Sequence, residues 1–268
     1  SGRYIVEHRA LPTTSFFSFI TPPRTLVDYY WLFQVLVYQL YSLCGYLGLI
    51  VFRTAAFFAT VSVIVAFFAH RQEAKRSPPL YYVMAILPLY IYYLSFRYAL
   101  VRPHTLTYLF IVVFLLIFEY HPRRAMWLPL LAVIWCNVHG AEYPVMLLIC
   151  GAYVLEFFVN RAGRNPNPRA DVAFLLPTVL SMWAVFATPH GSTLLTVPFS
   201  TAHATQYILE YAPVTWEGLT TFRVFAFACD WHTAFNLLLI TAWVRLIALG
   251  RKNQLRVSHL LMLSGGSL

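Results

Sequence analysis

Apolar residues in this chain are gathered into long blocks, and polar residues are confined to the short stretches between them. The apolar blocks run over residues 46–69, 80–100, 104–119, 125–137, 143–159, 172–187 and 233–249, with a final short one over 257–264. Several approach the roughly 20 residues that carry a helix across a hydrocarbon core. The strand-length alternation of apolar and polar positions that marks an outer-membrane barrel is absent. The pattern predicts an all-α fold, a polytopic transmembrane helix bundle of about seven to eight spans. The whole of 1–268 reads as one membrane domain. It divides into a loop with an interfacial helix (1–45), a first set of spans (46–187), a long loop (188–232) and C-terminal spans (233–268).

The connections alternate in character. Those over 70–79, 120–124, 160–171 and 250–256 are basic, and they hold 11 of the 19 Lys and Arg residues. The positive-inside rule places them in the cytoplasm. Residues 1–45, 101–103, 137–142 and 188–232 then face the other side, the extracytoplasmic face of a multi-pass membrane protein. Six of the ten acids (Glu7, Asp28, Glu142, Glu210, Glu217 and Asp230) fall there, as do His104, His139, His190, His203 and His232. Chemistry-capable residues are thus expected on one face.

Residues 29–43 (YYWLFQVLVYQLYSL) are apolar yet carry Gln34, Tyr38, Tyr41 and Ser42 at helical spacing. They predict an amphipathic helix lying in the outer interface, with Gly45 and Gly48 permitting a turn into the first span. Composition agrees with a bilayer as the solvent: 60% of residues are hydrophobic and 11% charged. The net charge of +9 does not indicate nucleic acid, because the basic residues are dispersed through short loops. Four cysteines lack metal or redox spacing, and two of them lie in apolar helices as small hydrophobes. The outer histidines show no H-x-x-x-H spacing that would place two of them on one helix face. No cofactor follows from the residues, a divalent cation being the one candidate kept open. The opening residues are polar and loop-like and lack a Met start, so the chain reads as incomplete at that end.

Arg97 and Arg102 flank the outer end of the second span, and Pro103 stiffens the short R-P-H connection to His104. A guanidinium at the hydrocarbon boundary offers a planar fork for a lipid phosphate. The alternative is snorkelling to headgroups. In W-C-N-V-H-G-A-E (135–142), Asn137, His139 and Glu142 lie at a membrane surface, where polar groups need a cavity or a partner. His139 and Glu142 share a face if the turn is helical, which would let the carboxylate orient the imidazole. The alternative is capping of the helix end. His190 belongs to a helix-ending T-P-H-G turn. Glu210, Trp216 and Glu217 lie in the long outer loop, where aromatics beside acids suit a sugar or an interfacial belt. Asp28 is placed to cap the interfacial helix. Arg53, inside the first span, is expected to face the bundle interior or reach the outer surface.

Taken together, these residues resemble a group of large bacterial polytopic membrane proteins that are similar to the GT-C class of glycosyltransferases. The resemblance rests on Gly2-Arg3-Tyr4-Ile5, Leu11-Pro12 with Phe17-Ser18, Asp28 with Trp31-Leu32, and Arg102-Pro103-His104. It continues through Trp135 with Asn137 and His139-Gly140, Pro189 with Gly191, and Glu210 with Pro213, in order from residue 1 to about 215. It implies transfer of a sugar, usually with inversion, from a polyprenyl-phosphate donor at the outer face of the bacterial inner membrane. An outer-loop carboxylate would act as base and basic residues would hold the lipid phosphate. Candidate catalytic residues are Glu142, His139, Asp28 and Glu7. Candidate phosphate and sugar ligands are Arg102, Arg97, His104, Asn137, His190, Glu210 and Trp216.

The expected partners are membrane lipids and the polyprenyl-phosphate sugar. Two departures keep a rival in view. Ser15 stands where the group's pattern has Asp, and the loop after a preceding span, where such enzymes carry their key acid, is not in this chain. The rival is a non-catalytic GT-C-like subunit of a larger membrane complex, bound to other membrane proteins.

Overall fold

A computed structural model describes residues 1–14, 26–73, 80–162, 172–200, 224–225, 228–229, 231–251 and 255–266. Helix is the framework throughout. It comprises α1 (Gly2–His8), α2 (Trp31–Glu73), α3 (Leu80–Arg97), α4 (His104–Tyr120), α5 (Leu128–Val138) and α6 (Tyr143–Ala162), followed by α7 (Val172–Met182), α8 (Val197–Ser200), α9 (Trp231–Arg251) and α10 (Val257–Gly266). Short 3₁₀ turns cover Pro122–Trp127, Gly140–Glu142, Trp183–Ala187 and Gly191–Thr196. Two-residue strands at Val224–Phe225 and Ala228–Cys229 pair antiparallel.

Local sequence explains most boundaries. α2 runs without a loop, but Gly45 sits at φ 59 and ψ −148, outside helical space. Only glycine adopts that backbone without strain. The break divides an N-terminal segment, 31–44, from the long apolar segment that follows. α3 ends at Arg97, and α4 begins after the Arg102-Pro103 turn. α5 carries its proline in the first turn, where the missing N–H costs no helical bond.

The opening residues differ from the loop expected of them. Gly2–His8 is helical and lies against α2 so closely that a Cβ on Gly2 would stand 2.1 Å from the Gln34 carbonyl. Side-chain volume, which a scan for polar character ignores, decides that contact.

Two helices, Trp31–His70 and Gly140–Ala162, are long and apolar enough to cross a membrane, while His104–Tyr120 and Phe174–Ala187 are apolar but shorter. α5 has 11 residues. That is about 16 Å of helix, well short of a hydrocarbon core. It is the centre of the main core: Leu128, Ala132, Trp135 and Cys136 are buried against Phe114 and Phe118 of α4 and Met146 of α6. A smaller core joins Ala56 and Ile64 of α2 to Leu94 and Tyr98 at the α3 end. Outward-facing positions remain apolar, with Leu43, Tyr46, Phe58, Leu176 and Val244 all more than half exposed.

Charged and hydrogen-bonding side chains form two clusters in this bundle. At the end where α4 and α6 finish, Arg256 enters from the segment before α10 and bridges two acids buried within the helices. Its Nη1 donates to both Glu119 oxygens at 2.7 and 2.6 Å, and Nε and Nη2 donate to Glu156 at 2.8 and 3.1 Å. The Tyr153 hydroxyl adds a third hydrogen bond to Glu119 at 2.7 Å. Glu119 is 8% exposed and Glu156 5%, so neither carboxylate is solvated by water. Removing the shared cation from such a cluster strands both charges. Arg256→Met is therefore expected to destabilise the fold by about 3–5 kcal/mol, read as thermal unfolding in detergent. Arg251→Met, at an exposed position, is expected to change it by about 0.5 kcal/mol or less.

Candidate functional site

The opposite end is built from neutral hydrogen bonds around the close of α5. Asn137, in its last turn, accepts from the Trp31 indole N–H at 2.9 Å. Its own NH₂ donates to the Val133 carbonyl at 2.8 Å and the Ala187 carbonyl at 3.3 Å. One carboxamide thereby ties the start of α2 to α5 and to the 3₁₀ turn after α7. The Gly140 N–H donates to the Tyr29 carbonyl at 2.7 Å. A Cβ at Gly140 would meet that oxygen at 2.9 Å and Leu194 at 2.8 Å. The glycine of the W-x-N-x-H-G sequence is thus required by a close backbone approach.

Trp135 stacks on Phe110 at 5.7 Å and donates its indole N–H to the Thr107 hydroxyl at 3.2 Å. Thr107 in turn contacts His139 Nδ1 at 2.9 Å. With the tryptophan proton directed to the Thr107 oxygen, the threonine proton is available to Nδ1, which leaves the ring proton on Nε2. The expected pairing of His139 with Glu142 is replaced by this relay. His139 has left helical geometry, at φ −148 and ψ 72, so the two residues no longer share a helix face. Burial and the neighbouring charge of His104 lower the His139 pKa to about 3.

Around this relay stand the other candidates. The His104 ring lies 6.5 Å from that of His139, and its Nε2 donates to the Arg97 carbonyl at 3.3 Å. Arg97 Nε donates to the Tyr108 hydroxyl at 2.8 Å. Arg97 is also the opposite charge that acts on Glu142, which is half-buried at the head of α6. Arg102 is half-buried in the turn between α3 and α4. Arg97, Arg102, His104, His139 and Glu142 therefore occupy one end of the bundle. Arg53 reaches the same end, donating to the Ala99 carbonyl at 2.7 Å.

The remaining candidates lie in different settings. Asp28 is 2% exposed, and one of its oxygens accepts from Gln34 Nε2 at 3.0 Å. It also accepts the Tyr30 backbone N–H, as a residue capping α2 would, and burial raises its pKa. His190 donates to the Asp28 carbonyl at 3.0 Å. Both hold the start of α2, although the second Asp28 carboxylate oxygen is buried without a hydrogen-bond partner. Glu7 is on the exposed face of α1, paired with Arg3 at 2.8 Å, and is not drawn into the cluster. Glu210 and Trp216 lie outside the described residues. Among the described residues, no group of three or more His, Cys, Asp or Glu side chains is placed to hold a metal ion.

Sequence reasoning missed Thr107 and Tyr108, which look like ordinary apolar-helix positions, and it missed the Glu119–Arg256–Glu156 network. Two acids inside apolar stretches were the available signal for the network. Comparison of the chain with protein-family models, with curated proteins and with solved structures returned no match.

Two outcomes follow from the packing. Gly140→Ala is expected to lower the melting temperature, whereas Gly151→Ala, where an added Cβ meets nothing within 4 Å, should be neutral or slightly stabilising. The His139 ring binds a proton far more weakly folded than unfolded, so acidification favours the unfolded chain. Its contribution is intact above pH about 6.5 and declines as pH falls below that value, by about 2 kcal/mol at pH 5. Thermal melts at pH 7.5 and 5 should differ accordingly, and His139→Gln should flatten the difference.

Proposed function

We propose that the chain is a GT-C-like polytopic membrane protein of about seven to eight spans that transfers a sugar from a polyprenyl-phosphate carrier. Its working face is extracytoplasmic, in a bacterial cytoplasmic membrane. The membrane placement is supported by two helices of spanning length, by large apolar side chains standing outward, and by polar groups gathered at the two helix ends. The observation that carries the catalytic reading is Arg97 within electrostatic reach of Glu142, with Arg102 and His104 at the same end of the bundle. A diphosphate or phosphate needs cationic donors, and an acceptor hydroxyl needs a carboxylate base within reach.

Of the candidate acids, Glu142 suits the role best. It is half-buried and under the influence of Arg97, while Asp28 is sequestered and Glu7 is held by Arg3. His139, neutral in the working pH range, lines the site as a hydrogen-bonding group.

The non-catalytic reading has its own support. Asn137, Gly140, His190 and Asp28 all serve internal contacts, which is what a scaffold retaining the fold without the acid would keep. Transfer from a polyprenyl-phosphate sugar in proteoliposomes separates the two. Glu142→Gln is expected to lower transfer by about 100-fold or more, as loss of a general base does, and Arg102→Ala to raise the donor KM. Unchanged rates in both variants would remove the assignment. An inert wild-type chain that co-purifies with stoichiometric membrane partners would establish the scaffold.

A further inference from the structure

The other end of α2, α3 and α4 carries a second feature. Ile64, Phe67 and Phe68 of α2, Leu87 and Tyr90 of α3 and Leu115 of α4 line an open apolar groove of about 190 Å³. The groove leads to a basic corner. Phe67, one of its walls, packs edge-on against Tyr120 at 5.0 Å, and Tyr120 lies 5.6 Å from the His70 ring. His70 stands 5.1 Å from His121. From Ile64 to His70 is about 9 Å along a helix axis, so an extended hydrocarbon chain lying in the groove would end at these rings.

The corner continues into the Pro122–Trp127 turn, where Arg123 and Arg124 are exposed beside Met126 and Trp127, themselves 69% and 56% exposed. Arginines next to exposed apolar and aromatic side chains suit a lipid–water boundary. The Arg124 N–H bonds the His121 carbonyl at 2.7 Å, which keeps the two residues together. Burial, with the neighbouring Arg124 and His70, lowers the His121 pKa, so Arg124 carries the positive charge of the corner and His121 offers a neutral ring donor. Glu119, the acid next in sequence, is engaged by Arg256 and Tyr153.

We propose that this groove and corner form a binding site for one anionic phospholipid, with an acyl chain in the groove and the phosphate against His121 and Arg124. An apolar slot ending in positive charge complements the two parts of such a lipid, and basic pockets between helices on the cytoplasmic side recognise anionic headgroups. Arg124 supplies the planar donor pair for phosphate oxygens. The site rests on the membrane placement proposed above but not on sugar transfer, since the Arg97–Glu142 cluster lies at the opposite end of α3 and α4.

Native mass spectrometry of the full chain in detergent, titrated with phosphatidylglycerol or phosphatidylcholine, tests the proposal. One phosphatidylglycerol should be retained in preference to phosphatidylcholine. Arg124→Ala should weaken retention about tenfold, as loss of a charge-assisted hydrogen bond does, and Leu115→Trp, which fills the groove, should weaken it similarly. Arg161→Ala, an exposed cation elsewhere, should leave it unchanged. Equal retention of the two lipids, or wild-type retention by Arg124→Ala, overturns the site. Displacement by glycerophosphate as readily as by the intact lipid also overturns it, since the corner would then be a free-phosphate site. Release of the chain from membranes by alkaline carbonate would remove the membrane placement and this site with it. Loss of sugar transfer alone, with lipid retained, would count only against the catalytic reading.

Discussion

The Asn137 carboxamide sits in the last turn of α5, 6% exposed, with three hydrogen bonds, one within its own helix and two to distant stretches of chain. An amide left unpaired in an apolar interior costs several kcal/mol, so the partners must arrive together or the arrangement is lost. α5 is short and central, and the position of its end sets the position of everything around it. The Trp31 bond draws in the start of α2, the Ala187 bond draws in the turn after α7, and the Gly140 bond to Tyr29 follows from the register those two impose. The Thr107–His139 contact then brings α4 to the same place.

The two ends of the bundle meet one requirement in two ways. Polar groups buried among apolar helices must be satisfied by protein, because an apolar interior offers no other hydrogen-bond partners. At the α5 end the solution is a network of neutral donors and acceptors, with Arg97 bonded to Tyr108 at its edge. At the α4 and α6 end the solution is ionic, with one guanidinium shared by two carboxylates. That sharing holds α10 to α4 and α6.

Parts of this were legible before any coordinates. Block length and hydropathy indicated helices and approximate boundaries, since an apolar run of this length pairs its backbone within itself as a helix. The glycine at 45 marked the break in α2. The clustering of W-x-N-x-H-G with Asp28, Trp31 and His190 into one region also followed from the alternation of basic and non-basic loops. What failed had local causes. α1 forms because Gly2 permits a backbone approach, the His139–Glu142 pairing fails because the helix ends between them, and the roles of Glu7 and Asp28 were separated only by exposure.

The sequence by itself determined that the molecule is helical, where its apolar blocks begin and end, and which residues could meet at each end. Hydrophobic length and charge bias are properties of single segments and need no partner to be read. The tertiary structure decided which polar groups are spent on each other. Satisfaction of a hydrogen bond or a buried charge depends on atoms as far away in sequence as Glu119 and Arg256, and only their packing brings those atoms within 3 Å.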